Sequence, residues 1–309
     1  MNNPIIFVTF FISSIGLFIG SIIDLKTREI PDMLSFGLLA LGFGISIIAS
    51  LFYVDFSYII SSLLGFLFCF LFSLIMFYTG QWGGGDAKML MALGALIGFS
   101  LQDVLSLFSF SYFSSSLLFS SFSVFLTSFP FLVVFLLLVF FVGGLYGLVW
   151  LLALLLIHRK TFFPKYAAFL LSSAQKKQQL ILWSIAIILV LSSFFFFDLS
   201  FFIAFLVCLF LVLFLSYAYP IIKILEEIAF VKEIPVSLVT EGDWLSEDVI
   251  VHGETIARKR DLGISSEQLQ RLHVLAHEGK IKKVKVKYGI PFVPSFFIAF
   301  IVCVWLFFF

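Results

Sequence analysis

The sequence predicts an all-α polytopic membrane protein with about eight transmembrane helices and a small α+β cytoplasmic domain before the last helix. Of its 309 residues, 62% are hydrophobic and only 12% are charged, whereas roughly a quarter of the residues in a soluble domain are charged. The 45 phenylalanines lie in tracts that lack polar side chains for chemistry, so they are assigned to lipid contact and helix packing. This composition excludes an ordinary soluble globular protein.

Eight stretches are long and apolar enough to form helices that cross the hydrocarbon core, which takes about 20 residues. The first is predicted to be a span and not a secretory signal, because Met1 to Pro4 carries no positive charge and the apolar run exceeds a usual signal core. The fifth is long enough to tilt or break. The eight predicted spans cover residues 5–23, 34–53, 57–78, 88–110, 129–157, 180–197, 199–219 and 291–309.

The placement of charge predicts the orientation of these spans. All 19 Lys and Arg residues fall after the first, third, fifth and seventh spans, the last of these stretches being Pro220 to Gly289. The opposite face carries only acids such as Asp55, Asp103 and Asp198. The positive-inside rule makes the basic face cytoplasmic. The protein is therefore predicted to lie in the cytoplasmic membrane with its N-terminus outside.

The chain is predicted to have three parts: membrane-embedded helices over residues 1–219, a small cytoplasmic α+β domain over 220–289, and a C-terminal transmembrane helix over 290–309. From residue 220 the composition changes abruptly to one that is normal for a soluble domain. At roughly 70 residues its own core is marginal. We therefore expect it to dock against the membrane helices or a partner.

Short strands and one helix are predicted inside the cytoplasmic domain. Polar and apolar residues alternate over residues 249–252 and 282–288, which is typical of strands. From Ser265 or Ser266 onward, a capping residue is followed by leucines at helical spacing. The domain is therefore expected to combine a small sheet with a helix.

Asp24 and Asp86 are the candidate catalytic residues, because ionisable residues at the edge of the membrane are costly and point to function. Asp24 closes the first apolar run and Asp86 opens the fourth. Residues 33–78 are long enough for two spans and a tight turn, so the chain leaves the cytoplasmic face and returns to it. Both carboxylates are therefore predicted to lie at one depth.

Two adjacent carboxyl groups can share one proton, so that one activates water and the other polarises a scissile carbonyl, without a metal. Helix dipoles suggest Asp86, at a helix N-terminus, as the base and Asp24, at a helix C-terminus, as the acid. Gly83, Gly84 and Gly85 permit positive φ angles and carry no side chains, which would let an extended substrate approach Asp86.

Each aspartate also has an ordinary structural explanation. Asp86 could be a helix cap. Asp24 could be a loop acid just past the first span, paired with Lys26 or Arg28. The joint placement of both acids on one face, flanking a two-span hairpin, favours the catalytic pair.

Three segments carry a family resemblance. The first is Asp24-Leu-Lys-Thr-Arg-Glu-Ile-Pro-Asp, in which Pro31 precedes Asp32. The second is Gly83-Gly-Gly-Asp-Ala-Lys-Met-Leu, with Lys88 two positions after Asp86. A softer likeness covers Gly242-Asp-Trp-Leu, Gly263-Ile-Ser and Gly289-Ile-Pro-Phe-Val-Pro. Together these segments resemble the GxGD-type prepilin and preflagellin (prearchaellin) peptidases, the A24 family of membrane aspartic peptidases, and in particular archaeal members.

The resemblance implies an aspartic-type endopeptidase, without a cofactor, whose catalytic residues are Asp24 and Asp86. Its implied partners are type IV pilin-like or archaellin precursors, which lose short basic leader peptides ending in Gly at the cytoplasmic face. Bacterial relatives often carry a cysteine-rich methyltransferase domain, which nothing here matches. Charge complementarity suggests that Glu29 and Asp32 bind the basic leader, although both could be ordinary solvated loop charges.

Other residues carry weaker signals. His273 and His277 have the spacing of a helical metal pair, but they lack further ligands, so no metal site is predicted. The cysteines at positions 69, 208 and 303 are expected to pack in apolar surroundings. The basic loop that contains residues 159–177 fits contact with membrane lipids better than nucleic acid, which is not predicted as a partner. The sequence leaves a homo-oligomer open.

Two rival functions stay open. Presenilin-like and signal-peptide-peptidase-like proteases also combine a helix-borne Asp with GxGD, but they cut within the bilayer. The PAL tripeptide expected of them is missing here. The second rival is a transporter or membrane scaffold without catalytic activity, whose acids bind cations. Only the appearance of a cleaved product separates a peptidase from this second rival.

Overall fold

A computed structural model describes residues 4–108, 129–193, 199–251, 253–261 and 263–308. This part of the chain is mostly helical, with a small sheet region. Five helical stretches are long and apolar enough to cross a membrane, namely Pro4–Thr27, Asp32–Tyr53, Ser57–Tyr78, Phe131–Ile157 and Leu209–Phe230. The prediction of a multi-pass helical membrane protein is confirmed. The count of eight spans stays a prediction.

The described residues form two compact units, one within residues 1–148 and 289–309 and the other within residues 149–288. The helices of the first unit are α1 (Pro4–Thr27), α2 (Asp32–Tyr53), α3 (Ser57–Tyr78), α4 (Gly84–Ile97), α5 (Leu101–Phe108), most of α6 (Phe131–Ile157) and the final α11 (Val293–Phe308). The last helix of the chain thus packs with the N-terminal helices.

Helix α4 lies at the centre of the first unit, with buried residues on all its faces. Small residues allow its neighbours to approach closely, as they do in membrane helix packing. The backbones of Gly65 in α3 and Gly94 in α4 are in direct contact, and a side chain on either glycine would meet the other's carbonyl oxygen. The Ser62 hydroxyl adds a hydrogen bond to the carbonyl oxygen of Ala95, at 2.7 Å.

The fourth predicted span, residues 88–110, is interrupted in the structure. Helix α4 ends at Ile97, and Gly98 adopts a positive φ of 77°. The N–H of Phe99 then donates to the carbonyl oxygen of Ser61 in α3 instead of continuing the helix. The α4 helix, at 14 residues, is about 21 Å long and cannot cross the hydrocarbon core by itself. Residues 109 and 110 of that predicted span lie outside the described part of the chain.

The second unit begins inside α6 and continues through three more helices. These are α7 (Arg159–Leu171), α8 (Ser173–Ser193) and α9 (Leu199–Leu225). A π-helical turn, Glu226–Phe230, leads from α9 into the first strand. The helix therefore runs past residue 219, where the cytoplasmic domain was predicted to begin. The three-part division of the chain stays a prediction.

The sheet region contains five short strands and one helix in the described residues. The strands are β1 (Val231–Pro235), β2 (Trp244–Leu245), β3 (Val249–Val251), β4 (Glu254–Ala257) and β5 (Lys283–Lys287). A three-stranded antiparallel sheet has the order β1-β5-β2, and β3 and β4 form a separate hairpin. The predicted strands near residues 249 and 282 are confirmed.

Helix α10 (Ser266–His277) packs on this sheet region and begins where the sequence predicts. The Ser265 hydroxyl accepts a hydrogen bond from the N–H of Gln268, and the Gln268 side chain accepts one from the N–H of Ser265. This reciprocal arrangement is a capping box, which satisfies two free donors at the helix start. Leu272 of α10 is fully buried with Val284 and Val286 of β5.

Candidate active site

Asp24 lies in the last turn of α1, three residues before the helix ends at Thr27. Its side chain is only 4% exposed. The explanation of Asp24 as a loop acid is therefore wrong, because the helix continues past it. The expected partner Arg28 does interact with it electrostatically. Arg28 adopts a left-handed φ of 60°, and its N–H donates to the Asp24 carbonyl oxygen, which closes the helix.

The Asp24 carboxylate also meets the start of the last helix. Its Oδ2 accepts a hydrogen bond from the N–H of Val293, the first residue of α11, at 2.9 Å. The N-terminus of a helix carries free N–H groups and a partial positive charge, so it favours an anion. The predicted dipole contrast between the two aspartates is therefore incomplete, since Asp24 lies at the end of one helix and at the start of another.

Asp86 occupies the first turn of α4. Its Oδ2 accepts a hydrogen bond from the N–H of Gly83 at 3.2 Å. Asp86 thus does cap the start of α4, as the structural explanation expected. This bond uses one oxygen of the carboxylate and is compatible with a chemical role for the other.

Of the three glycines before Asp86, only Gly85 is closely packed against a neighbouring segment. None of them is among the residues with positive φ, so the predicted use of that freedom is not seen in the structure. A methyl group on Gly85 would lie 3.1 Å from Cβ of Ile30 and 3.4 Å from its backbone nitrogen. A methyl group on Gly83 would lie 3.6 Å from the nearest atom, and a methyl group on Gly84 would lie 3.9 Å from the nearest atom. Gly85 therefore lets α4 begin directly against the loop between α1 and α2.

The two carboxyl groups lie close together in the first unit. Helix α1 packs on α4 one turn away from both acids, where a methyl group on Gly20 would come within 2.8 Å of Cε of Met89. The Asp24 and Asp86 carboxyl groups interact electrostatically and repel one another when both are ionised. This repulsion disfavours the state in which both carboxyl groups are ionised.

Tyr146 of α6 is a further polar group near Asp24, and no sequence motif points to it. Its hydroxyl oxygen is buried, and it interacts electrostatically with Asp24. The approach of α6 depends on Gly143, where a methyl group would lie 2.5 Å from the ring of Phe292. Gly143, one turn before Tyr146, thus allows α6 to pack closely enough for the Tyr146 hydroxyl to interact with Asp24.

Trp82 anchors the turn that leads to the three glycines. Its side chain is 5% exposed, and its ring lies 5.8 Å from Phe292 and 5.2 Å from Phe296, between ring centroids. It also stacks against Phe140 of α6 at 6.2 Å. Aromatic pairs at such distances stabilise a fixed geometry. The turn before Asp86 is therefore held between the last helix and α6.

The remaining predicted residues lie in the α1–α2 loop and on α4. The Lys88 ammonium forms an ion pair with Asp32 at 2.6 Å. Pro31 precedes α2 as its N-cap residue. Glu29 is exposed. A leader-binding role for Asp32 would thus have to compete with Lys88, whereas Glu29 faces solvent.

Metal binding receives no geometric support in the described residues. Within those ranges, no group of three or more His, Cys, Asp or Glu side chains is arranged to hold an ion. His273 and His277 both lie on α10, in the second unit. Cys69 and Cys303 are buried free cysteines, as expected; the side chain of Cys208 lies outside the described part of the chain.

The fold and the paired carboxylates define a class, a polytopic helical membrane protein that holds two acids at adjoining helix ends. Residues 11–150, which include both acids, match the type IV leader peptidase family. This match confirms, for the N-terminal region, the resemblance that the motifs predicted. No solved structure matches the chain.

Three curated relatives are similar to this chain, and all three are described as preflagellin peptidases. The protein from Methanocaldococcus jannaschii is 45% identical over 95 residues, which make up 29% of this chain and 38% of the relative. Those from Methanococcus maripaludis and Methanococcus voltae are 40% and 41% identical over 90 residues, 29% of this chain and 39% and 38% of the relatives. The chain thus spans less than half the length of these relatives.

Proposed function

We propose that the protein is a membrane aspartic endopeptidase that removes short basic leader peptides from archaellin or type IV pilin-like precursors at the cytoplasmic membrane face. One observation carries this proposal: Asp24 and Asp86 interact electrostatically and both lie within residues 11–150, which match the type IV leader peptidase family. Two carboxyl groups on separate helices, brought within reach of each other, are the minimum that metal-free peptide hydrolysis by an acid pair requires.

The proposed reaction needs one ionised and one protonated carboxyl group. The ionised group takes a proton from water as the water oxygen attacks the scissile carbonyl carbon, and the other gives its proton to the carbonyl oxygen. When the tetrahedral intermediate collapses, the C–N bond breaks and the first group passes its proton to the leaving amine. The second group recovers a proton from a hydroxyl of the intermediate, which restores the pair.

We assign Asp86 as the base and Asp24 as the acid. The position of Asp86 at the N-terminus of α4 supports this assignment, because the helix dipole there favours an anion. The contact of Asp24 with the N-terminus of α11 argues in the other direction, since it favours the ionised form of Asp24. A coupled pair titrates as a unit, so the assignment depends on which carboxylate contacts the attacking water.

The proposed topology has eight spans, an outside N-terminus, and the catalytic loops and residues 220–289 in the cytoplasm. The distribution of the 19 basic residues supports it. The proposed substrates fit this orientation, because a basic leader would stay on the cytoplasmic side. Glu29, which is exposed, and Asp32, once released from Lys88, are the proposed acids that attract the leader.

The test is cleavage of a precursor that has a basic leader ending in Gly, by membranes that contain wild-type protein, Asp24→Asn or Asp86→Asn. Wild type is expected to cut after the Gly, and each variant is expected to lose activity by about a thousandfold or more. Asp55→Asn is the matched control, because Asp55 caps the start of α3 at the far end of the α2–α3 hairpin. Asn caps helices as well as Asp does.

Three outcomes would contradict the proposal. Full cleavage by either active-site variant would show that the pair is not the catalytic group. Cleavage only inside the apolar helix of the precursor would favour the presenilin-like alternative. Inserted wild-type protein that yields no product would favour the transporter or scaffold.

A further inference from the structure

The last helix of the chain begins at the Asp24 carboxylate. The N–H of Val293 donates to Asp24 Oδ2 at 2.9 Å, across 269 positions of sequence, and the bond is buried. The neighbouring N–H of Phe292 also interacts with Asp24. This carboxylate is therefore held from outside its own helix, by backbone groups that the α1 segment does not contain.

We propose that the N-terminal turn of α11 is a positioning element for Asp24 and acts through the backbone N–H of Val293. The proposal rests on the proposed function, because it assumes that Asp24 is one of the two catalytic acids. The bond would fix Oδ2 and leave Oδ1 to exchange a proton with Asp86 or substrate. The last helix is then part of the active site, although it carries no ionisable side chain there.

The start of α11 has few free hydrogen-bond donors, so the Val293 N–H is important for Asp24. The next residue, Pro294, has no backbone N–H. The N–H and the hydroxyl of Ser295 both donate to the carbonyl oxygen of Phe292, at 3.0 Å and 2.6 Å. The donors that follow Val293 in the turn are thus missing or already used, and the N–H groups that interact with Asp24 are those of Val293 and Phe292. The Val293 N–H is directed at Asp24.

The same turn is held rigidly by packing. The Val293 side chain is fully buried, and its Cγ1 would lie 3.4 Å from a methyl group on Gly20, one turn before Asp24. The Phe292 ring packs against Gly143 on one side and Trp82 on another. Because packing against three neighbouring elements fixes the position of this N–H group, its hydrogen bond also fixes the position of Oδ2 of Asp24.

A proline substitution tests the N–H itself. Val293→Pro removes this single donor at the first position of a helix, where proline is favoured and no intrahelical bond is lost. Val293→Ala truncates the same side chain but retains the N–H, so the comparison between the two variants isolates the hydrogen bond. Both are assayed for cleavage of the leader-bearing precursor across a range of pH.

We expect kcat of Val293→Pro to fall about 10-fold to 100-fold below that of Val293→Ala, with KM little different between them. Both limbs of the pH–rate profile are expected to move to higher pH in Val293→Pro alone, because the lost hydrogen bond favoured the ionised form of Asp24 and the coupled pair titrates as a unit. A merely structural role for Val293 would not shift the profile. Equal kcat and identical profiles in the two variants would overturn the proposal.

Two further measurements keep the test decisive. If Val293→Pro does not insert, an ester in place of the amide at position 293 removes the same hydrogen with almost no change of shape, and an unchanged kcat would again overturn the proposal. If wild type itself does not cleave, the proposed function fails. The contact is then tested by a double-mutant cycle of Val293→Pro with Asp24→Ala in thermal unfolding, where additive effects would refute it.

Discussion

The helices of the first unit and the sheet region of the second unit differ in which residues they bury. In the first unit, large apolar side chains are exposed on the described helices, with Phe11 at 67%, Ile48 at 68% and Leu51 at 71%. Its buried positions include glycines, serines and Asp24. In the sheet region of the second unit, Val284 and Val286 are buried while the lysines beside them are more exposed. There, hydrophobicity alone marks the interior.

The difference follows from the solvent that each region is built for. Lipid tails are as apolar as a helix interior, so a phenylalanine gains little by turning inward. Close backbone approach and hydrogen bonds then decide which face is buried. In water, burial of apolar surface drives the packing. A substitution should therefore have its largest effect in the first unit at small residues, and in the sheet region of the second unit at caps and apolar core residues.

The largest expected effect is at the contact between α3 and α4. Gly65→Ala places a methyl group against the carbonyl oxygen of Gly94 and near the backbone of Gly98. Backbone atoms cannot move aside as a side chain can, so we expect a loss of about 3 kcal/mol or more in unfolding free energy. Thermal unfolding in detergent measures it. Gly44→Ala in α2 is the control, because its methyl group would enter open space.

An intermediate effect is expected at the glycines before Asp86, measured as kcat/KM for leader cleavage. Gly85→Ala forces its methyl group against Ile30, and we expect a loss of about tenfold because a small displacement of a catalytic group is costly. Gly84→Ala makes only an ordinary contact with Phe77, so its loss should be several-fold smaller. Equal losses in the two variants would mean that flexibility, and not close packing, is what the glycines provide.

The smallest expected effect is in the second unit. Ser265→Ala removes the cap of α10 and should cost about 1 kcal/mol of stability in the sheet region, with leader cleavage little changed. Hydrogen exchange of residues 231–288 in the full chain would measure this local loss. Ser266→Ala, one residue later, leaves the cap in place. If Ser265→Ala abolished cleavage, the comparison between the two units would fail, because a water-exposed cap would then control the membrane site.

The sequence could predict the surroundings of Asp86 better than those of Asp24. Asp86, its glycines and Lys88 are neighbours in the chain, so a local pattern contains most of what surrounds the carboxylate. Besides Arg28, the partners of Asp24 include Val293 and Tyr146, which are far away in sequence. An apolar residue that acts through its backbone N–H cannot be recognised from a sequence motif. The softer likeness at Gly289-Ile-Pro-Phe-Val-Pro was the one signal that pointed to this region.

Span prediction had a similar limit. The stretch 88–110 is mostly apolar although it contains Ser100, Gln102 and Asp103, and a prediction from hydropathy did not find the break after Ile97. The break depends on Gly98 and on the Phe99 N–H, which bonds to α3. By contrast, the capping box at Ser265 and the strands near residues 249 and 283 follow from local patterns, and all of them are confirmed.

By itself, the sequence determined that the chain is a helical membrane protein with a small sheet region and that its N-terminal region resembles the leader peptidases. Hydropathy, charge placement and short motifs are local properties, and they need no contacts to be recognised. Only the tertiary structure decided which helices surround Asp24, that the last helix begins at its carboxylate, and that α4 lies at the centre of the first unit. In a chain where apolar residues face both lipid and core, these contacts depend on small residues and backbone hydrogen bonds.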